Sequence, residues 1–593
     1  MFLKNNPIVF LFCFFWRFSK GNRKYILLTV VLFIAANLLI LVEPLIIGAL
    51  LNVIQLYGVT SDTIVTVLLL VASFFLADIL FWACHAPSRI IERRNAFIAR
   101  NAYKNYILNG IMHLPSQWHA DHHSGDTIDK VEKSSSALFD FAQDTYQVIE
   151  LVVRLVASYI ALIIFHPPSS YIVVIVLFMI MTMVMLFDRT LMKKYRDLYR
   201  AENGISAKIY DTLSNVTTVI ILRIEKLVHS AIVKKMQQPF KLYMNAAKIN
   251  ETKWFMTSMF SSLLICIVLG SYIWGEYTAG GVILIGTLSI LYGYVQRVND
   301  MFFRMTYVYS DMVRYKTSIQ NAEEITSQFG VIEMPEGEEL PHKWKEIAIR
   351  NLSFSYDPDE ETHIHLDDVS LSMKRGEKIA FVGHSGAGKT TLLKVIRGLY
   401  VPQKVHVAVD GTALLHGFAS INESIALIPQ DPEIFATTIE ENITVGIDYP
   451  HALVEHVAEL AQFTDVVARL PKGYDSSVVE KGVNLSGGEK QRLALARGLL
   501  ASRDKQLLLL DEPTSSVDPF NEKQIYTNIF KEFKELTVLS SIHRLHLLPL
   551  FDRVVFFENG RVLATGHYTE LLKTCKPFKK VWDAYTATLD KEK

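Results

Sequence analysis

The run Gly383-His384-Ser385-Gly386-Ala387-Gly388-Lys389-Thr390 has the spacing G-x-x-x-x-G-K-[ST]. Glycines at these positions let successive backbone N–H groups curl around an anion, and a helix starting there adds its partial positive charge. The flanks supply that setting: Ile379 to Val382 reads as a strand, and Thr391 to Arg397 as a helix stopped by Gly398. The chemistry expected is capture of a nucleoside triphosphate. Lys389 reaches the β- and γ-phosphates in this reading and Thr390 binds Mg²⁺, with Gly383, Ser385, Gly386, Gly388 and Thr391 completing the phosphate-binding set.

A second run, Gln506-Leu507-Leu508-Leu509-Leu510-Asp511-Glu512, has four leucines ending in two acids. It reads as a central parallel strand buried on both faces, which delivers carboxylates to its C-terminal end, where ligands bind in such sheets. Asp511 suits the magnesium shell, and Glu512 suits the orientation of an attacking water. The cofactors expected are therefore ATP and Mg²⁺, and the reaction is hydrolysis.

The third run, Leu485-Ser486-Gly487-Gly488-Glu489-Lys490-Gln491-Arg492, matches the signature sequence of the ATP-binding cassette (ABC) family. The whole chain resembles a half-transporter of the exporter type, specifically in its cassette motifs and by layout alone in its membrane part. The resemblance implies further roles. Tyr356, in Phe354-Ser355-Tyr356, resembles the aromatic residue that stacks on adenine. Gln430, in Ile428-Pro429-Gln430, resembles the glutamine that senses Mg²⁺ and the membrane domain. His543 resembles the histidine that contacts the γ-phosphate, and Asp518, in Ser515-Ser516-Val517-Asp518, the acid that communicates across a dimer. In this family Ser486, Gly487 and Gly488 of one subunit cover ATP held by the other, so a second half-transporter is the implied partner. A homodimer with two competent sites is the simplest assembly, and a heterodimer is the alternative.

Two positions depart from the family pattern. Glu489 stands where glutamine is usual; Ser486-x-x-Glu489 is also a capping box at the head of the helix Glu489 to Leu500. Glu489 either caps that helix alone or, by its charge near the docked phosphate, slows ATP-driven closure. In Val479-Glu480-Lys481-Gly482 the family more often has a glycine before the glutamate, and Glu480 itself is kept.

These motifs need elements to hold them. Apolar stretches fall at about Tyr25 to Ile54, Thr63 to Cys84, Tyr146 to Phe165, Tyr171 to Phe187, Phe255 to Trp274 and Val282 to Val295. A crossing takes about 20 apolar residues, so six spans are expected, the last completed by its aromatic continuation. Lys and Arg crowd into Arg17 to Lys24, Arg89 to Lys133 and Arg189 to Lys253 and are absent from the three other connections, which puts both termini in the cytoplasm. The two long basic connections read as helices extended into the cytoplasm, turning near Pro115 to Gly125 and near Gly204 to Asn215, where they can touch the soluble domain.

The expected architecture is an α-helical six-span membrane domain with long cytoplasmic helical extensions, followed by an α/β P-loop cassette. Its parts are an interfacial helix in residues 1–24, the transmembrane domain in 25–330, a linker in 331–344 and the nucleotide-binding domain in 345–593. Half of the 593 residues are apolar, and the mean hydropathy of +0.23 reflects residues 25 to 300.

Sixty basic against sixty acidic residues leave no basic footprint, so nucleic acid is not an expected partner. Cys13, Cys84, Cys266 and Cys575 lie too far apart in sequence to suggest a disulfide framework or a CxxC metal site. His119, His122 and His123 with Asp121 read as a solvated contact surface in the first cytoplasmic turn. Charges inside the spans are costly and usually face a cavity or one another. Glu150 and Arg154 stand at i, i+4 and can neutralise each other, which leaves Glu43 and Asp78 as candidate cavity residues.

The function expected is ATP-driven transport by alternating access, with export of a hydrophobic or amphipathic lipid, peptide or drug. The alternatives are a non-transporting membrane ATPase, as sensor or gated channel, and an inward-directed transporter of the same fold. The absence of an organelle-targeting extension points to a bacterial inner membrane.

Overall fold

The computed structural model describes residues 6–122, 124–329, 340–341, 343–356, 365–478 and 485–589. His123, most of the expected linker 331–344 and the Val479 to Gly482 departure with Glu480 lie outside the described residues. The chain forms two compact units, Met1–Gly110 with Gly125–Thr326, and Ile111–Ser124 with Ser327–Lys593.

The first unit is helical. Helices Arg23–Ile40 and Glu43–Tyr57 form one rod broken at Leu41 and Val42, because Pro44 sits in the first turn of the second segment and has no N–H to carry the ladder through. The Leu41 carbonyl freed by the break accepts a hydrogen bond from Tyr294 Oη at 2.9 Å. Long helices follow at Ile64–Met112, Ser124–Phe165, Pro167–Ser214, Phe240–Ala279 and Ile285–Thr326. Among the described residues five helical rods are long and apolar enough to cross a membrane: Arg23–Tyr57, Ile64–Met112, Ser124–Phe165, Pro167–Tyr195 and Glu225–Ala279. The sixth expected stretch opens helix Ile285–Thr326, where Arg297, Asp300 and Arg304 follow its apolar start too closely for a full span of apolar residues.

Helices Glu43–Tyr57 and Ile285–Thr326 meet backbone to backbone. A Cβ on Gly286 would sit 2.0 Å from the Gly48 carbonyl oxygen, so only glycine allows this approach. Gly286 N donates to Asn52 Oδ1 at 2.9 Å across the same contact. The N-terminal helix Pro7–Phe18 is capped by Asn6, whose Oδ1 accepts from Ile8 N at 2.9 Å. Leu11 and Phe15 are buried against the unit, with the Phe15 ring 6.2 Å from Phe141, while Val9 and Phe12 are exposed.

The second long connection turns at Asn215, the far end of the range expected for it. Helix Pro167–Ser214 runs through Gly204, and the short helix lies at Val216–Ile221 after a turn at Asn215. A single glycine costs a helix only about 1 kcal/mol, which is too little to end one held by its neighbours. The first turn has its short helix at Ser116–Asp121, and this segment belongs to the second compact unit.

That unit is built on two sheets. Strands β1 (Glu346–Phe354), β2 (Leu366–Lys374), β4 (Lys404–Val409) and β5 (Thr412–Ala413) make an antiparallel sheet in the order β2-β1-β4-β5. Strands β3 (Lys378–Gly383), β6 (Ile425–Ile428), β7 (Leu507–Asp511), β8 (Thr537–Ser541), β9 (Arg553–Glu558) and β10 (Arg561–Gly566) make the larger sheet, ordered β10-β9-β3-β8-β7-β6. All its neighbouring pairs are parallel except β10 with β9.

The leucine run occupies β7, and every residue in it is buried. Side chains alternate across a strand: Leu507 and Leu509 enter the core beneath the antiparallel sheet, with Phe381 and Phe557, whereas Leu508 and Leu510 enter the core with Leu493, Ile525 and Ile529 of the helices. Each such leucine contributes about 1.5–3 kcal/mol by burial. Because β3, β7 and β8 are parallel, Gly383, Asp511 and Ser541 end at the same edge of the sheet, where their loops converge.

Candidate active site

The phosphate loop leaves β3 at Gly383 and feeds helix Lys389–Ile396, with Gly388 as its N-cap. Gly386 and Gly388 have φ of +79° and +100°, a region side chains strain to enter. A Cβ on Gly388 would also lie 2.9 Å from Leu366 Cδ2. The buried Lys389 folds back onto the loop, its Nζ donating to the carbonyls of Gly383 at 2.9 Å and His384 at 3.2 Å. Burial pushes its pKa down, against the pull of Glu512 and Asp511. A desolvated ammonium whose hydrogen bonds go to neutral carbonyls gains strongly from an incoming phosphate. Ser385 is exposed on the loop.

Thr390 Oγ1 donates to Asp511 Oδ1 at 2.8 Å. Asp511 is 3% exposed, and burial raises its pKa although the Thr390 bond opposes this. A hydroxyl beside a carboxylate that gains from a cation is an oxygen donor set suited to Mg²⁺. Among the described residues no group of three or more His, Cys, Asp or Glu side chains is arranged to hold a metal.

Glu512 sits one residue past β7 with φ of +48°, a conformation costing about 1–3 kcal/mol that persists only where the surroundings fix it. Three groups hold its carboxylate. Gln430 Nε2 donates to Oε2 at 3.0 Å, His543 Nε2 lies 2.7 Å from Oε1, and Ser541 Oγ donates to Oε1 at 3.5 Å. Gln430 follows β6 and His543 follows β8, so one edge of one sheet presents all of them. Tyr356 Oη donates to Thr391 Oγ1 at 3.4 Å. Its ring is held edge-on by His365 and Tyr400 at 4.8 and 5.1 Å and remains 38% exposed, open to a planar ligand.

The signature residues stand apart from this cluster. Ser486 caps helix Gly487–Ala501, and Asp518 caps helix Pro519–Glu532 through Asn521 N at 3.0 Å. Among the described residues neither they nor Gly487 and Gly488 bond to the phosphate loop. Ser486 and Gly487 are exposed, and a Cβ on Gly488 would meet the Ser516 carbonyl oxygen at 2.6 Å.

Three residues of this site had no role of their own in the sequence reading, although Gln491 lies within the signature run. Gln491 is buried on helix Gly487–Ala501; its Nε2 donates to the Gln430 carbonyl at 3.1 Å and to Ser515 Oγ at 2.8 Å, and its Oε1 accepts from Ser516 N at 2.8 Å. Arg469 pairs with Glu489 at 2.8 Å. Arg544 donates to carbonyls of the turn before Asp518.

In the first unit the interior charges are paired. Arg154 lies 3.0 Å from Glu150, whose other oxygen lies 2.7 Å from Arg304. Arg154 Nε also donates to Asn37 Oδ1 at 2.8 Å. Glu43 is paired with Arg297 at 2.7 Å, whereas Asp78 is exposed on an outward face of helix Ile64–Met112. The structure does not bring Glu43 and Asp78 together. His122 stacks on Trp118 at 4.2 Å, and His119 Nε2 lies 3.2 Å from the Ile111 carbonyl.

Two family models match the chain, the ABC transporter transmembrane region over residues 26–295 and the ABC transporter domain over residues 366–515. An ATP-dependent lipid A-core flippase of Pseudomonas fluorescens is 28% identical over 487 residues, 79% of this chain and 77% of the relative. An uncharacterised ABC transporter ATP-binding protein of Haemophilus influenzae is 28% identical over 400 residues, 65% of this chain. The chain spans 62% of that relative's length, and 21% and 49% of two further curated relatives. The solved structure of a bacterial Atm1-family ABC exporter with ATP bound has the same fold, with a TM-score of 0.79 at 22% identity over 95% of this chain and 99% of that one. The chain is an integral membrane protein that belongs to the ABC transporter family, with its transmembrane region and a single ATP-binding cassette fused in one polypeptide.

Proposed function

We propose that this chain hydrolyses ATP to drive export of a hydrophobic or amphipathic substrate, working as one half of a dimer. The observation that carries the reading is the placement of Glu512. Its carboxylate is oriented by Gln430 and His543 at the edge of the sheet that also presents Lys389 and the Thr390–Asp511 pair.

In this mechanism the loop amides from Ser385 to Thr390 cradle the phosphates, and Lys389 turns from its carbonyls to the β- and γ-oxygens. Mg²⁺ would be held by Thr390, Asp511 and Gln430 and would neutralise charge on the phosphates. Glu512 orients water toward the γ-phosphorus and accepts its proton, while His543 shares the carboxylate and steadies the γ-phosphate. Tyr356 supports adenine. Ser486, Gly487 and Gly488 of a second copy cover the γ-phosphate, and Asp518 lies at the same junction. Their exposure and their separation from the phosphate loop of their own chain support that division of labour.

Binding energy moves the membrane helices only as far as ATP prefers the closed state over the open one. Grouping of Ile111–Ser124 with the cassette supports a route for that motion. The cassette lies in the cytoplasm in this reading, and a bacterial inner membrane is the proposed location. The relative named as a lipid A-core flippase makes a lipid the first substrate to test.

The experiment is ATP-dependent movement of a fluorescent phospholipid, and separately of an amphipathic dye, across proteoliposomes of the purified chain with cassettes outside. ATP-dependent transbilayer movement of either supports export. ATP turnover with neither probe moved, nor the rate stimulated by either, contradicts this substrate class.

A further inference from the structure

We propose that Arg544 is a positioning residue that ties His543 to the Ser515–Asp518 turn, so that the γ-phosphate contact and the turn move as one piece. The inference rests on the hydrolytic roles proposed for Glu512 and His543. Arg544 is the residue after His543, so its backbone follows wherever that histidine goes. Its guanidinium reaches the turn at two points: Nη1 donates to the Val517 carbonyl at 2.5 Å, and Nη2 donates to the Ser515 carbonyl at 3.2 Å. A planar fork with several donors can hold two carbonyls at once, which a single ammonium cannot do in the same geometry.

A third contact fixes the fork. Nη1 lies 3.1 Å from Glu522 Oε2, and Glu522 is 4% exposed, with its other oxygen accepting from Thr514 Oγ1 at 2.8 Å. Glu522 stands in the first turn of helix Pro519–Glu532, where a negative charge is favoured. The arginine is therefore anchored on a rigid element and grips a turn that leads directly to Asp518.

Beside that grip the site is open. A cavity of about 250 Å³ is lined by Glu512, Ser515, Glu522, His543 and Arg544 among others. Gln491 also holds the turn at Ser515 Oγ and Ser516 N, and Val517 is buried in the core, but of these groups Arg544 is the one joined directly to His543. The plainer role for Arg544, offsetting the buried Glu522 charge, leaves its bonds to the Val517 and Ser515 carbonyls unexplained.

The test uses the full chain in lipid nanodiscs with Mg-ATP. Arg544→Lys keeps the charge beside Glu522 but cannot span both carbonyls; it should leave the KM for ATP within twofold and lower kcat at least tenfold. Glu522→Gln removes the charge but keeps an amide oxygen that can accept from the fork, and with the carbonyl contacts intact it should hydrolyse ATP within threefold of the native rate. If Arg544→Lys fails to fold, the double variant Glu522→Gln/Arg544→Gln removes both charges and should show the same fall in kcat at unchanged KM. A kcat within twofold of native in the folded Arg544 variant overturns the proposal, as does a Glu522→Gln loss equal to that of Arg544→Lys. Glu512→Gln serves as the control: native turnover in that variant refutes the hydrolytic assignment itself, whereas a dead Glu512→Gln beside a normal Arg544→Lys refutes only the positioning role.

Discussion

Glu489 closes on Ser486 from both directions. Its Oε2 accepts from the Ser486 backbone N–H at 2.8 Å and from the Ser486 hydroxyl at 2.9 Å, while Glu489 N donates to Ser486 Oγ at 3.3 Å. The acid that departs from the usual signature therefore has a structural task, helped by Arg469 at 2.8 Å. A glutamine carbonyl can accept the same bonds, so Glu489→Gln is expected to leave ATP turnover within about twofold. A several-fold rise in rate would favour a charge that restrains closure.

The same pair has a pH signature. Burial opposes ionisation of Glu489, but the Ser486 amide and hydroxyl and the Arg469 charge outweigh it and hold the pKa below the usual 4.5. A depressed carboxylate stabilises the fold fully above its unfolded pKa and loses this as pH falls through the folded one. Thermal melts of native chain and Glu489→Gln should therefore differ most above pH 4.5 and converge in more acidic solution. Arg469 is 64% exposed, so the pair adds no more than about 1 kcal/mol. A melting difference that grows with acidity would contradict this.

Gly388→Ala combines a positive φ with a Cβ 2.9 Å from Leu366 Cδ2 and 3.0 Å from the His365 carbonyl. Backbone strain alone costs about 1–2 kcal/mol. Affinity for a fluorescent ATP analogue should fall at least tenfold, with the cassette still folded by circular dichroism. Undiminished affinity would show that the loop does not need this conformation to bind phosphate.

Gln491→Leu keeps the side-chain size and removes the bonds from Gln491 to the Gln430 carbonyl, the Ser515 hydroxyl and the Ser516 N–H. Leaving buried polar groups unpaired costs about 1–3 kcal/mol. Turnover should fall at least tenfold with ATP affinity little changed, which steady-state kinetics and equilibrium binding separate.

The interior charges of the membrane unit should sort by burial. Glu150→Gln removes the charge that Arg154 and Arg304 share on a buried carboxylate, so the detergent-solubilised chain should melt below the native one. Glu43, half exposed beside Arg297, should cost less stability and change substrate-stimulated turnover instead. Equal melting losses would show that burial does not separate the two acids.

Contiguous motifs made much of the site legible from residues alone. The phosphate loop, the leucine strand with its acids and the Ser486–Glu489 cap are local patterns whose physics is complete within about ten residues. Gln491 and Arg544 escaped because their partners lie 61 and 29 positions away and are mostly backbone atoms, which no side-chain pattern advertises. The short apolar run of the sixth stretch and the helix that continues through Gly204 have a related reason. Arg297 and Arg304 are accommodated by Glu43 and Glu150, and Gly204 by its neighbouring helices, so tertiary partners overrode the local signals.

The central claim is that Glu512, held by Gln430 and His543, drives turnover of ATP bound at Lys389. Its most direct test is the steady-state ATPase rate of the reconstituted Glu512→Gln variant, measured beside its equilibrium affinity for Mg-ATP. The account predicts affinity within twofold of native and a rate at least a hundredfold lower. Turnover within twofold of the native rate would contradict it.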